Sequence, residues 1–181
     1  MDLDNLFHGA RIRLTALYPD DVQTWQRWYE NSEFSRLFDS RPAYPRSMTR
    51  LQSLMDSLLK PTDSYPFAIR RHDDDAMIGF ADIDDVQWAN GTAWVSIAIG
   101  DPINRGLGYG TEAMRLLIDF AFRELNLHRL QLTVFSYNAP AIRLYEKLGF
   151  VREGVYREAL HRDGQRHDML LYGLLRRERA F

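Results

Sequence analysis

Ile97-Ala98-Ile99-Gly100-Asp101-Pro102-Ile103-Asn104-Arg105-Gly106-Leu107-Gly108-Tyr109-Gly110-Thr111 runs from an apolar strand into a glycine-rich turn, and a helical pattern follows at once. The helix is marked by the stripe Met114, Leu117, Ile118, Ala121, Phe122 and Leu125. A turn in this place presents backbone N–H groups where the helix dipole favours an anion. Glycine at 106, 108 and 110 removes the Cβ atoms that would hold a bulky pyrophosphate away, and Arg105 can add a charge-assisted contact. Two other phosphate loops do not fit. A P-loop needs Gly-Lys followed by Ser or Thr, and a dinucleotide fingerprint needs G-x-G-x-x-G inside a parallel βαβ unit. Alone, the turn Arg105 to Thr111 leaves a phosphate, a nucleotide and an empty loop all open.

Upstream, Asn90-Gly91 signals a hairpin into the strand Thr92 to Ile99. Tyr65 to Arg70 and Met77 to Ile83 read as two further strands around the turn Arg71 to Asp75, so an antiparallel meander feeds the glycine turn. Near the N-terminus, Arg11 to Leu17 alternates polar and apolar residues as a half-buried strand does. Pro19 is suited to a first helical turn, with Asp20 and Asp21 beside it and Val22, Trp25, Trp28 and Tyr29 at helical spacing. A second helix starts from Ser47 as N-cap, carries Leu51, Leu54, Met55 and Leu58, and is bounded by Pro61. Downstream come the strand His128 to Phe135, a helix from Ala139 to Leu148 with Gly149 as its C-cap, and the strands Phe150 to Glu158 and Asp168 to Leu174 around Asp163-Gly164. Strand, two helices, meander, helix, strand, helix and hairpin make an α+β chain, expected as a three-layer α/β/α sandwich on a mixed, mostly antiparallel sheet.

The 181 residues, 45% hydrophobic and 27% charged, fit a single domain, 1–181, with its core at about 11–176. The net charge of -2 provides no field to collect nucleic acid or an anionic membrane. Without cysteine there is no disulfide framework, thiolate zinc site or cysteine nucleophile. The start Met1 to Asn5 lacks a signal-peptide pattern and no run approaches the ~18 apolar residues of a membrane span. A bacterial-type cytoplasmic enzyme is the expectation, and the sequence leaves a homodimer open.

The second chemical element is Asn138-Ala139-Pro140-Ala141-Ile142-Arg143-Leu144-Tyr145-Glu146-Lys147-Leu148-Gly149-Phe150. Residues seven apart on a helix differ by about 20° in direction and about 10 Å along the axis. Asn138 and Tyr145 therefore share a face with small Ala141 between them. That face suits a groove wall for a peptide-like arm; it equally suits an Asn N-cap and a buried tyrosine.

In this order the two motifs resemble the acetyl-CoA site of the GNAT superfamily of N-acetyltransferases, whose pattern is Q/R-x-x-G-x-G/A followed by an Asn and Y-x-K-x-G-F. Arg105, Gly108 and Gly110 fill the first part, and Asn138, Tyr145, Lys147, Gly149 and Phe150 the second. The opening strand and the segment Gly154 to Ala159 are similar to the branch holding ribosomal-protein alanine N-acetyltransferases and polyamine acetyltransferases. The resemblance implies acetyl-CoA as co-substrate, held by Ile97, Ala98, Ile99, Arg105, Gly106, Leu107, Gly108, Tyr109, Gly110, Thr111, Asn138, Ala141, Tyr145 and Lys147, and direct transfer to a primary amine such as a protein N-terminus or polyamine. It implies that the strand ending at Ile99 splays from His128 to Phe135, that a backbone N–H near Ile97 or Ala98 holds the oxyanion, and that Tyr145 protonates the leaving thiolate. This branch often carries Glu where this chain has Trp94. A CoA-binding module without catalysis is the alternative reading.

On the acceptor side, Asp82 and Asp84 share a strand face and could act as a base through water or anchor a cationic amine; alternating acids also make an ordinary solvated sheet face. Phe34 and Phe38 are expected in a loop as pocket walls, Trp94 and Asp168 as further substrate-side residues, and Trp25, Trp28 and Tyr29 as core. His161, His167 and Asp168 read as a solvated loop, so no metal is expected.

Overall fold

The computed structural model describes residues 5–60 and 63–179, which leaves Pro61 and the first four residues outside the described part. The strands are β1 (Ile12–Thr15), β2 (Tyr65–Arg71), β3 (Met77–Gln87), β4 (Thr92–Ile99), β5 (Arg129–Phe135), β6 (Val151–Arg162) and β7 (Gln165–Leu175). The helices are α1 (Asp21–Glu30), α2 (Ser32–Phe38), α3 (Met48–Leu58), α4 (Tyr109–Asp119) and α5 (Ala139–Lys147), and α4 runs on into a wider π turn over Phe120–Glu124. All seven strands form one sheet in the order β1-β2-β3-β4-β5-β7-β6. Every neighbouring pair is antiparallel except β4 and β5. The α+β sandwich on a mixed, mostly antiparallel sheet is the architecture observed.

Strand alternation sorts the core into two layers. Ala68, Phe80 and Ala98 face α1 to α3, where they meet Trp25, Trp28, Phe34, Leu51 and Met55. Ile69, Ala81, Ile83 and Val95 face the other way, onto Met114, Leu117 and Ile118 of α4 and Tyr145 and Leu148 of α5. Side-chain caps fix the helix starts: the Ser47 hydroxyl accepts from the Arg50 N–H at 3.3 Å, and the Asn31 Oδ1 from the Glu33 N–H at 2.9 Å. Gly149, with φ 91°, ends α5 in the left-handed region that glycine tolerates best.

Four details differ from the sequence reading. Helix α1 begins at Asp21, so Pro19 lies ahead of its cap rather than in its first turn. Three helices, not two, precede the meander, because Asn31 caps α2 where a loop was expected. Phe34 and Phe38 are therefore helical, and Phe34 is fully inside the core. The closing hairpin is longer at its tip, which places His161 and His167 in β6 and β7 rather than in a solvated loop.

The pairing that matters most for the site is the parallel one. It joins Thr92 to Arg129, Ala93 to Leu130 and Trp94 to Gln131, and stops there although both strands continue. From Val95 onward β4 and β5 diverge, and the sheet opens into a V.

Candidate active site

A cavity of about 1070 Å³ enters at this V. One wall is the glycine turn, with Gly106, Gly108, Gly110 and Thr111; another is α5, with Asn138, Ala141, Arg143, Leu144, Tyr145 and Lys147. Between them run Trp94 to Ile99 of β4, with Thr133 to Phe135 of β5 opposite. The far end lies under α1 to α3 and is lined by Tyr29, Phe34, Phe38, Phe80, Asp82 and Asp84.

At the turn, Gly108 is the N-cap of α4 with φ 87°. The first intrahelical bond is Glu112 N–H to the Gly108 carbonyl at 3.1 Å, so the N–H groups of Tyr109, Gly110 and Thr111 precede it and are free to meet an anion. The side chains of Leu107 and Tyr109 do not line the cavity, so any contribution from these two positions is through backbone. Arg105 was expected to point at a phosphate and does something else. Its Nη2 donates to the Gly100 carbonyl at 2.7 Å, its Nε to the Ile99 carbonyl at 3.2 Å, and Nη1 lies 3.2 Å from Glu33. The guanidinium thus clamps the end of β4 to α2. The cation beside the turn is Arg11: it donates to the Leu107 carbonyl at 2.8 Å, pairs with Glu112 at 3.1 Å, and its Nη2 lies 3.0 Å from where a Cβ on Gly108 would stand. Sequence reasoning missed it because it lies just ahead of β1, far away along the chain.

In the V, the backbone of β4 has a definite polarity. Gly100 N–H donates to the Ile78 carbonyl at 2.9 Å, which sets the alternation. Residues 96, 98 and 100 bond to β3, whereas the N–H and carbonyl groups of Val95, Ile97 and Ile99 turn toward the gap. Of the two expected oxyanion donors, Ile97 faces the cavity through its N–H and Ala98 does not; the Ala98 N–H belongs to the ladder with Phe80.

Across the gap, Asn138 uses both ends of its amide. Its Oδ1 accepts from the Ala141 N–H at 3.3 Å and caps α5, while Nδ2 donates to the Leu37 carbonyl at 3.3 Å and ties α5 to α2. Tyr145 is only 6% exposed, packed edge-on to Phe150 with ring centroids 5.8 Å apart. Burial pushes its phenol up to about 12, so it stays protonated throughout the neutral range.

The far end of the cavity is acidic and aromatic. Asp82 is 6% exposed, opposite Pro66 on β2 and Ser96 on β4. Burial first, and then the neighbouring Asp84, push its carboxyl up to about 6, against a single side-chain hydrogen bond from the Ser64 hydroxyl at 3.3 Å. Asp84, opposite Trp94, is raised as well, by burial and by Asp85 and Asp63. The solvated-face reading of these alternating acids does not hold for Asp82. Two other carboxylates are as deeply placed and both are neutralised: Asp21 lies 2.6 Å from Arg70, and Asp39 2.6 Å from Arg46. Burial alone would raise Asp39, but hydrogen bonds from Arg41 and Arg46 hold it below its ordinary value. Asp82 is in no ion pair among the described residues.

Asp168, expected beside the substrate, does not line the cavity. Its Oδ1 accepts from the Glu158 N–H at 2.8 Å and stabilises the irregular pairing of β6, where Glu158 has φ 53°.

Comparison with known proteins places this geometry. Residues 11–151 match the family described as Acetyltransferase (GNAT) domain. The SPbeta prophage-derived uncharacterized N-acetyltransferase YokL of Bacillus subtilis (strain 168) is 31% identical over 170 residues, 94% of this chain and 93% of that one. Spermidine N(1)-acetyltransferase of Escherichia coli (strain K12) is 27% identical over 154 residues, 85% of this chain and 80% of its own. The crystal structure of spermidine N-acetyltransferase from Vibrio cholerae in complex with CoA and spermine shares the fold, with a TM-score of 0.84 at 24% identity over 94% of this chain and 98% of that one.

Proposed function

This chain belongs to the GNAT acetyltransferase family and transfers an acetyl group from acetyl-CoA to a primary amine; from that premise we propose that its acceptor is a small amine carrying more than one positive charge. The observation that supports this is the far end of the cavity, where Asp82 and Asp84 project from one strand face among Tyr29, Phe38, Phe80 and Trp94. Two carboxylates without an arginine partner attract a polycation, and the aromatic faces favour its methylene and ammonium groups. Spermidine, for which the Escherichia coli relative is named, has this chemistry.

In this reading acetyl-CoA enters from the other end. Its pyrophosphate meets the N–H groups of Tyr109, Gly110 and Thr111 beside Arg11, its pantetheine arm follows the open edge of β4 between Ile97, Ile99 and Ala141, and its ribose phosphate lies toward Arg143 and Lys147. The neutral amine attacks the thioester carbonyl, forming the C–N bond, and the Ile97 N–H receives the oxyanion. As the C–S bond breaks, Tyr145 gives its proton to the CoA sulfur and recovers one from the nitrogen of the adduct. No helix of the described residues is long and apolar enough to cross a membrane.

Release of CoA thiol from acetyl-CoA, measured against a panel of spermidine, a diamine, an aminoglycoside, a neutral monoamine and an alanine-starting peptide, tests the proposal. The polycations should give the highest kcat/KM, and the ranking should flatten with salt as exposed charges are screened. Faster turnover of the neutral monoamine or the peptide would overturn it.

A further inference from the structure

The acceptor reading leaves a chemical step without an agent, since an aliphatic amine of pKa about 10 arrives as an ammonium ion with no lone pair for the thioester. We infer that Asp82 is the general base of this enzyme, taking the proton from the bound ammonium and passing it to solvent by way of Asp84. The inference rests on the proposed cationic acceptor and adds the residue that activates it.

Geometry carries the argument. Asp82 stands directly opposite Ser96, the residue before the oxyanion donor Ile97, so its backbone lies one strand spacing, about 4.8 Å, from β4, and the gap that takes the thioester opens on the other side of β4. Its side chain is on the α1 to α3 face, from which the acceptor enters, and it lines the same cavity as Tyr145. The shared cavity lets the carboxylate take the proton through water rather than by direct contact with the attacking nitrogen. On β4 itself the residue opposite Asp84 is Trp94 and the residue opposite Asp82 is Ser96, so the carboxylates at this end of the cavity come from β3.

The charges around Asp82 favour the role. Ser64, ahead of β2, donates to Oδ1, the Ile83 backbone N–H also bonds to the carboxylate, and Asp82 lines the cavity. Asp84, on the same strand, is the ionisable group acting on it, with Asp63 and Asp85 acting in turn on Asp84. From the packed helices, Tyr29 is neutral, Glu33 is paired with Arg105, and Asp39 is held by Arg41 and Arg46. No described cation holds Asp82 in its ionised form, so a proton that reaches it is retained more firmly than on an exposed carboxylate. Burial that raises the carboxyl to about 6 also weakens the ammonium, which narrows the gap between donor and acceptor.

The step balances. The ammonium N–H bond breaks and its proton forms an O–H bond on Asp82; the freed electron pair makes the C–N bond. The second proton lost by the nitrogen ends on the CoA sulfur. Asp82 then releases its proton through Asp84, which is partly desolvated but reaches solvent, and the net products are the acetamide, CoA thiol and one proton.

The test compares wild type, Asp82→Asn and Ser64→Ala in kcat/KM against pH, with spermidine and with a weakly basic primary amine of pKa near 6. Wild type should rise through a midpoint near 6. Asp82→Asn should lose about 10²-fold or more with spermidine at pH 7.5, regain activity with unit slope as pH rises, and lose far less with the weak base, which arrives already neutral. Ser64→Ala, which removes a bond that favours the ionised carboxylate, should move the wild-type midpoint upward. Calorimetry with CoA should be unchanged in both variants, which shows that they fold. An equal loss for both amines at every pH marks Asp82 as an anchor only and overturns the inference, as does full activity of Asp82→Asn. If wild type itself turns over no polycation, the acceptor reading has failed instead.

Discussion

Replacing Asp82 by Asn should make this protein more stable at neutral pH while disabling it, and the size of the gain should depend on pH. Folding lifts the Asp82 carboxyl from 3.8 to about 6. Because the folded value is the higher one, the folded state binds the proton more tightly. The stability associated with that proton is fully present below pH 3.8 and is lost as pH rises through 6. A shift of roughly two units at about 1.4 kcal/mol each places about 3 kcal/mol of destabilisation on the ionised wild type above pH 7. Asn removes the charge at nearly constant volume, but its amide brings N–H donors that need partners and offsets about 1 kcal/mol of the gain. For a chain of this length each kcal/mol moves the melting temperature by about 2–4 °C. The variant should therefore melt about 4–8 °C above wild type at pH 8, with the difference shrinking toward zero as pH falls to 4.5. Thermal unfolding followed by circular dichroism for both proteins at pH 4.5, 5.5, 6.5 and 8 reads this directly, since every other titrating group is common to both. A difference that does not change with pH, or a variant less stable than wild type at pH 8, would refute the claim that an uncompensated carboxylate is buried there.

Gly108→Asp should weaken CoA binding by about tenfold or more. The residue would sit at φ 87°, where a Cβ costs about 1–2 kcal/mol, and would set a carboxylate at the anion-facing start of α4; unchanged affinity by calorimetry would place the pyrophosphate elsewhere. Tyr145→Phe should lower kcat at least tenfold with CoA affinity and melting temperature nearly unchanged, because burial keeps the phenol protonated and its hydroxyl makes no hydrogen bond among the described residues. Full turnover in that variant would remove Tyr145 from the proton-donor role.

Elements whose stability is local were legible in the sequence. β4 needed only its Asn90-Gly91 turn and the Gly100-Asp101-Pro102 stop, and α3 its Ser47 cap and apolar stripe. Residues near each other in sequence, such as Gly106, Gly108 and Gly110 or Asn138, Ala141 and Tyr145, could be placed on one turn or one helix face from spacing, and the family resemblance then read those faces as cavity walls. What escaped depended on partners distant in sequence. Arg11 reaches the turn only because β1 crosses beside α4, and Arg105 turns inward because α2 brings Glu33 to it. Helix α2 itself is seven residues long, too short for a periodic stripe, and its one local signal was the Asn31-Ser32-Glu33 cap. Asp168 was misread for the converse reason: an acid near the end of β5 resembles a substrate contact until a strained Glu158 backbone on the neighbouring strand claims it.

That unrecognised helix is also what makes the acceptor side a site rather than a sheet surface. Phe80, Asp82 and Asp84 alternate on β3 as residues of a half-exposed strand do, and in isolation the two acids would be solvated. Helices α1 to α3 close over that face, anchored by Trp25, Trp28 and Phe34, and α2 is held from both flanks, by Arg105 beside the glycine turn and by Asn138 at the head of α5. The closure buries Phe80, as a core should, and carries Asp82 inside with it, where an apolar residue would fold better. A polar residue at a core position, without the arginine given to Asp21 and Asp39, is a local conflict that folding alone does not account for. The same cover that creates the conflict binds the two ends of the cavity, since Arg105 and Asn138, which hold α2 down, also line its other walls.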